Sequence, residues 1–494
     1  MKKHILLLVL TWLVALTALA EARRTIIVGD QSQFDQLDKN IHDALAQGVV
    51  DLTVSLQPGV YYYREKHVDL SSVNRPKVNL VVTGKNALLV GRDGQGAADW
   101  QMGCFDPQRK CGVDLWSALE QSPQEVDVVD AETKLCRIRT ASRQSPLKAS
   151  QCEGQYLQLT EWYDSKVYPI VRRDRRYIYF TATDLQYSEQ YRHWNVNLDV
   201  AYAKANPRYR TTDAGLPPRM VACRASTFLN LWHSSLSSLT LRGIAFGPNH
   251  GAAPLIDTDM FNSRKLLVEN CRFEGVRGLV LKVWHTDNVE VRRNTFDGCY
   301  ANGIESFNGS RRTQVTDNTF VNHGRGMRQN FGIICRGEDF AIRGNRFRNF
   351  CYTAIGVGLW YGHQQKGPIT GEVTGNDIAF DDDFYADYAR HTLMDGGAIY
   401  TWTCCDHVEI TGNRIDHYQG VKDYRGIFCD DGGKNITVRD NSVTRIGQGC
   451  WCIDLRWVDH VTGKVPDHNT GNDVSGNHVD GRIRFETSKP LNGR

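Results

Sequence analysis

VRRNTF (291–296), VTDNTF (315–320) and IRGNRF (342–347) are one phrase written three times. It returns as VTGNDI (373–378), ITGNRI (410–415), VRDNSV (438–443) and VSGNHV (474–479). Its Asn falls at 294, 318, 345, 376, 413, 441 and 477. Upstream, VENCRF and LRGIAF fit the same frame with Cys271 and Ile244 in the Asn slot. The intervals run from 23 to 37 residues, which describes a coil with loops of variable length rather than an exact copy.

The phrase has a physical meaning. Val, Ile or Leu sits three residues before the slot, and Phe, Ile or Val two after it. Strict alternation would send those two to opposite faces of a strand. Both reach one core only if the chain bends at the Asn, a residue that tolerates left-handed backbone better than most. Stacked Asn side chains can also link their amides into a ladder. Helical periodicity is absent. A right-handed parallel β-helix accounts for the pattern.

Each coil carries a second strand after the Asn: GLVLKVW (278–284), GIESF (303–307), GIICR (332–336), AIGVGLW (354–360), AIYTW (398–402), GIFCD (426–430) and CIDLR (452–456). Alternation assigns Leu279/Leu281, Ile304/Ser306, Ile333/Cys335, Ile355/Val357, Ile399/Thr401, Ile427/Cys429 and Ile453/Leu455 to the core. It assigns Lys282, Glu305, Arg336, Tyr400, Trp402, Asp430, Asp454 and Arg456 to the outside. One outer sheet face is thereby expected to carry charge and aromatic rings together.

The rest of the chain fits around this solenoid. Residues 1–22, with Lys2 and Lys3 before an apolar run and small residues near 18–22, read as a signal peptide, so a secreted or periplasmic protein is expected. Over 23–91, FDQLDKNIHDALAQG followed by a strand and a Pro-Gly turn reads as an amphipathic cap and the first coils. The pattern lapses over 92–222, where EGQYLQLTEWYDSKVYPIVRRDRRYIYFTATDL reads as an inserted β-rich domain, and the main β-helix occupies 223–494. A net charge of +3 without a basic block argues against nucleic acid, and no later apolar run suggests insertion into a membrane. Fourteen cysteines in an exported chain permit disulfides without fixing a pairing. Cys404-Cys405 and Cys450-Trp451-Cys452 are too tight for a usual zinc knuckle, and the inward cysteines read as core filling.

On these motifs the chain resembles the pectate-lyase-like β-helix superfamily. More narrowly, DGGAIYTW, ITGNRIDHY and GIFCDDGGKNITVRDNSV resemble exported bacterial β-helix glycoside hydrolases, including relatives of xylosidase and fucosidase type. An early insert with an EWYDSKVYPI-like phrase is similar to their layout. The resemblance implies catalytic carboxylates on the outward sheet, which fall on Asp395 in DGGAIY and on Asp430 or Asp431 in CDDGG. The Asn-Thr-Asp and Gly-His-Gly phrases of polygalacturonases are missing, so pectin hydrolysis is not implied.

Glycoside hydrolysis uses two carboxyl groups flanking the scissile bond. The expected site therefore combines Asp395, Asp430 and Asp431 as catalytic groups with Glu305, Arg336, Trp360, Tyr400, Trp402, Asp454 and Arg456 around a poly- or oligosaccharide. Trp360, Tyr400 and Trp402 are candidates for stacking on sugar rings, and Arg336 and Arg456 for holding a carboxylate or sulfate. No cofactor and no metal is required by this reading. Asp381 to Asp383 form an acidic loop stretch that offers hard oxygen ligands to Ca²⁺ but reads first as solvated. Each residue also has a structural reading: Asp430-Asp431-Gly432-Gly433 and Asp395-Gly396-Gly397 as turns, Glu305 with Arg336 as a cross-strand ion pair. A polysaccharide lyase, with Lys282, Arg336 or His285 as base, is the alternative enzyme; His285 and His391 are separately candidates for a role in the site, with a structural reading beside it. A non-catalytic glycan-binding β-helix is the third class.

Overall fold

The computed structural model describes residues 23–91 and 227–485 apart from short stretches, of which 324–329, 359–367, 382–395, 418–423 and 456–470 are the longest, together with strands between 126 and 197. The chain is a right-handed parallel β-helix. A twelve-stranded first sheet runs from Arg23–Val28 to Asp473–Ser475. An eleven-stranded second sheet runs from Gly59–Tyr63 to His478–Val479, and an eleven-stranded third sheet from Val68–Asp69 to Arg482–Phe485. Each coil visits the three in turn, as in Thr313–Thr316, Thr319–His323 and Phe331–Cys335.

The expected bend lies between the first two sheets, with one correction. The left-handed residue is the one before the Asn: Arg293, Asp317, Gly344, Gly375, Gly412, Asp440 and Gly476 all have φ between 55° and 65°. The Asn itself turns inward. Asn294 Nδ2 donates to Asn318 Oδ1 at 3.0 Å, and the link repeats through Asn345, Asn376, Asn413, Asn441 and Asn477 at 2.9–3.0 Å. The same Nδ2 also donates to a main-chain carbonyl, as Asn345 does to Val315 O at 2.9 Å. Each Asn N–H donates to the next Oδ1, as in Asn318 to Asn345 at 3.0 Å. Buried polar groups at the corner are thus satisfied coil by coil.

The phrase also places its apolar ends. Val291 and Phe296 are both buried, one on each side of the bend. The slot two after the Asn becomes a stack of rings, Phe246, Phe273, Phe296, Phe320 and Phe347, with centroids 4.4–5.1 Å apart. A single apolar core runs from Ile26 to Leu455. At its start, two short helices, Gln31–Asp35 and Leu37–Ala46, replace the one helix expected, and Phe34, Leu37, Ile41 and Leu45 close the first coil. Asp30 caps the first helix by accepting from Gln33 N.

Core assignments in the third sheet follow alternation from Ile304/Ser306 to Ile453/Leu455, all buried. In the first of these strands the register is two residues later than expected. Leu281 and Val283 face the core, while Leu279 is half-buried. Pairing of Leu281 with Ile304 fixes this. The inserted region contributes a six-stranded sheet whose members, between Val126–Asp130 and Asn195–Asn197, pair antiparallel. The solenoid closes across it, since Ser235–Arg242 pairs parallel with Asn74–Thr83. The proposed borders at 92 and 222 lie outside the described residues. Cys271, Cys299, Cys335 and Cys429 are buried free thiols, and burial pushes each up to about 12.

Asn345→Ala removes an amide that makes four side-chain hydrogen bonds inside the ladder and strands the Asn318 N–H groups. It is expected to destabilise the chain by about 3 kcal/mol in urea unfolding. Asn477→Ala, at the half-buried end of the ladder, is expected to cost clearly less.

Candidate active site

Pairing in the third sheet lines up one outward residue per coil. The row reads Asp257, Lys282, Glu305, Ile334, Gly356, Tyr400, Phe428, Asp454 and Arg484. Two residues further along each strand lies a second row that includes Trp284, Phe307, Arg336, Trp402 and Asp430. Neighbouring coils are ~4.8 Å apart, so these rows form a measured strip of side chains.

The strip has two different halves. In the first, Lys282 Nζ lies 3.4 Å from Asp257 and 3.1 Å from Asp259, and 4.4 Å from the centroid of the Trp284 ring. His285 Nδ1 is 2.9 Å from Asp259 Oδ1. Trp284 and Phe307 stack with centroids 5.4 Å apart. The Arg336 guanidinium lies 3.9 Å from the centroid of Phe307. Glu305 sits among them and accepts from Asn302 Nδ2 at 2.5 Å. Burial pushes its carboxyl above the usual range, against the opposing pull of Asn302, Arg336 and Lys282. Lys282, Trp284, Glu305 and Phe307 all remain partly exposed.

The second half is closed. Tyr400 and Trp402 point outward as expected, yet they are only 1% and 2% exposed. Trp402 packs against Tyr400 at 4.1 Å and Phe331 at 5.3 Å, and Tyr400 stacks on Phe428 at 4.8 Å. The rings form an apolar layer on the outer face. Asp430 ends its strand beside them, buried, and accepts from the Tyr400 hydroxyl at 2.8 Å. Asp454 is fully buried and takes Arg425 Nε at 3.0 Å on one side and Arg484 Nε at 2.6 Å on the other. Its arrangement is that of a structural ion triad.

The structure thus brings Glu305 and Arg336 together in one cluster, and Tyr400, Trp402, Asp430 and Asp454 in another. Asp395, Asp431, Trp360 and Arg456 lie outside the described residues, as do His391, Asp382 and Asp383. Asp381 pairs with Arg348 Nε at 3.0 Å. Among the described residues, no group of three or more His, Cys, Asp or Glu is placed to hold a metal ion. Asp257, Asp259, Trp284 and Phe307 were not singled out from sequence. LID (255–257) matches the VLK of the next coil, and extending the strand alignment one coil upstream finds Asp257.

Residues 257–347 match the family described as right handed beta helix region. No curated protein matches the chain. Similar solved structures include one titled glycoside hydrolase, at 13% identity and TM-score 0.43, covering 92% of this chain and 96% of that one. A complex of XylC with xylose is 10% identical at TM-score 0.39, covering 85% and 69%. A family 28 exopolygalacturonase of Yersinia enterocolitica is 11% identical at TM-score 0.26, covering 94% and 79%. Likenesses at these scores assign no residue a role.

Two outcomes separate the halves. For Glu305 the raised carboxyl favours the protonated folded state, so its contribution is complete below the ordinary glutamate range and is lost as pH rises through the folded value. Glu305→Gln, a mimic of the protonated form, is expected to melt above the wild type at pH 7 and level with it near pH 4. Melting curves across that range read the difference. Asp454→Ala strands the buried Arg425 charge and is expected to lose about 4 kcal/mol in urea unfolding. Adding Arg425→Met is expected to restore part of that loss.

Proposed function

We propose that this chain is an exported carbohydrate-active enzyme, a glycoside hydrolase working on the outer face of the third sheet. Asp430 supports the reading most directly. It stands at the strand end of that face with one carboxylate oxygen held by the Tyr400 hydroxyl at 2.8 Å, beside a fixed ion triad. A carboxylate oriented in this way, sheltered from bulk water, suits proton transfer or attack at a sugar carbon better than a solvated turn would.

Asp395 and Asp431 complete the proposed set from sequence. Asp395 directly precedes Gly396–Thr401, the strand that pairs with Tyr424–Cys429 before Asp430, and Asp431 follows Asp430 in the chain. In the reaction one carboxylic acid protonates the glycosidic oxygen as the bond to the anomeric carbon breaks. A second carboxylate attacks that carbon or takes a proton from the water that does. The proton given to the leaving sugar is recovered from water when the cycle closes. Asp395, Asp430 and Asp431 are the candidates for these two roles.

The test is product analysis on a panel of plant and host glycans, with and without EDTA, following reducing ends and absorbance near 235 nm together. New reducing ends without absorbance, unchanged by EDTA, support the hydrolase. Absorbance that EDTA abolishes would mean a metal-dependent lyase. Binding with neither signal would mean a non-catalytic glycan receptor. On a substrate so found, Asp430→Asn is expected to lower kcat at least 100-fold with little change in melting temperature.

A further inference from the structure

We infer that the open half of the strip, from Asp257 to Arg336, is a binding subsite for an uncharged sugar unit of an extended glycan, floored by Trp284 and Phe307. This rests on the reading of the same face as a glycosidase site.

Three observations carry it. First, Trp284 and Phe307 sit on adjacent coils with planes 20° apart and form a continuous aromatic step that is partly exposed. The other rings of the strip, Tyr400, Trp402 and Phe428, are buried. An aromatic face beside polar groups suits the apolar flank of a sugar ring, with the hydroxyls at its edge reaching the polar rim.

Second, the rim is rich in hydrogen-bonding groups and close to balanced in charge. Lys282 is already matched by Asp257 and Asp259, and His285 leans on Asp259. The Arg336 guanidinium carbon stands over the Phe307 ring, 3.9 Å from its centroid, beside Glu305. A uronate or sulfate entering here would meet three carboxyl groups around the lysine. Hydroxyl groups would meet donors and acceptors in alternation. Arg336 is thereby assigned to the rim of a neutral subsite, where the sequence alone offers it a carboxylate or sulfate.

Third, distance sets the ligand's length. Between the coils of Glu305 and Phe428 lie Ile334, Gly356 and Tyr400, so Phe307 and Asp430 are four strand spacings apart, ~19 Å along the strip. On the reading that Asp430 reacts once the layer over it opens, a ligand spanning from Phe307 to it is an oligosaccharide of several units. The subsite then favours long chains over small glycosides.

The experiment is affinity electrophoresis of the whole chain in gels containing arabinoxylan, xyloglucan or polygalacturonate, alongside turnover on whichever polymer is cleaved. A neutral polymer is expected to retard the wild type, and Asp430→Asn equally. Trp284→Leu, which keeps apolar bulk without a ring, is expected to weaken retardation about tenfold, and Phe307→Leu serves as the second variant. Trp284→Phe should retain most of it. Retardation by polygalacturonate alone overturns the uncharged class. No retardation in any gel, or undiminished retardation of both leucine variants, overturns the subsite. Loss of turnover in Glu305→Gln with retardation intact also overturns it, because the cluster would then be the reacting centre. If retardation behaves as expected while Asp430→Asn keeps full turnover, the subsite stands and the Asp430 assignment falls.

Discussion

A solenoid that turns a corner inside its own core must satisfy the polar groups of that corner without water. Here the Asn ladder does it. Each Asn bonds the amide of its neighbour, a main-chain carbonyl and, through its oxygen, a main-chain N–H of the adjacent coil. A coil that lost register would strand several buried groups at once, and leaving them unbonded is far more costly than the net gain from making them. The ladder therefore fixes stacking at one strand spacing while the loops between corners vary in length.

That fixed stacking turns the outer face of the third sheet into a ruler. Successive residues in a strand point alternately in and out, residues two apart share a face, and paired residues in successive coils are one spacing apart. The character of the strip changes along its length for reasons visible in its residues. Around Lys282 the outward groups are charged and matched by neighbours one coil away. Around Tyr400 they are large rings that cover one another and shelter Asp430 and Asp454.

Much of this architecture was legible in the sequence, because it depends on patterns that repeat. The Asn slot, the apolar residues around it and the alternating strands after it each recur often enough to fix a phase. The bend itself was misplaced by one residue. Either Asn or the residue before it satisfies the demand for left-handed backbone, and only the buried side-chain amides show which does. Burial of Tyr400 and Trp402 was not legible, since alternation gives direction and not what lies above. Asp257 was missed because its coil has Ile244 in the Asn slot and a third-sheet strand of only two residues, Ile256–Asp257. Arg425, too, escaped notice: strand pairing places it next to Trp451, and only the side-chain path to Asp454 reveals the triad.

The ruler also bears on how specificity is divided. Groups on the strip are separated by whole strand spacings, so the distance between a subsite and a reacting carboxylate is a property of the scaffold and resists change by loop variation. Loops between the corners are free to change length, as the intervals of 24 to 37 residues between successive Asn show. Under the proposed function, chain length of the ligand would be selected by which coils carry polar and aromatic residues outward. Sugar identity and linkage would then be selected by what the loops add around them. In the proposed reading, the aromatic step at Trp284 and Phe307 and the held carboxylate of Asp430 would set the first of these, through side chains whose spacing follows from the stacking of the coils.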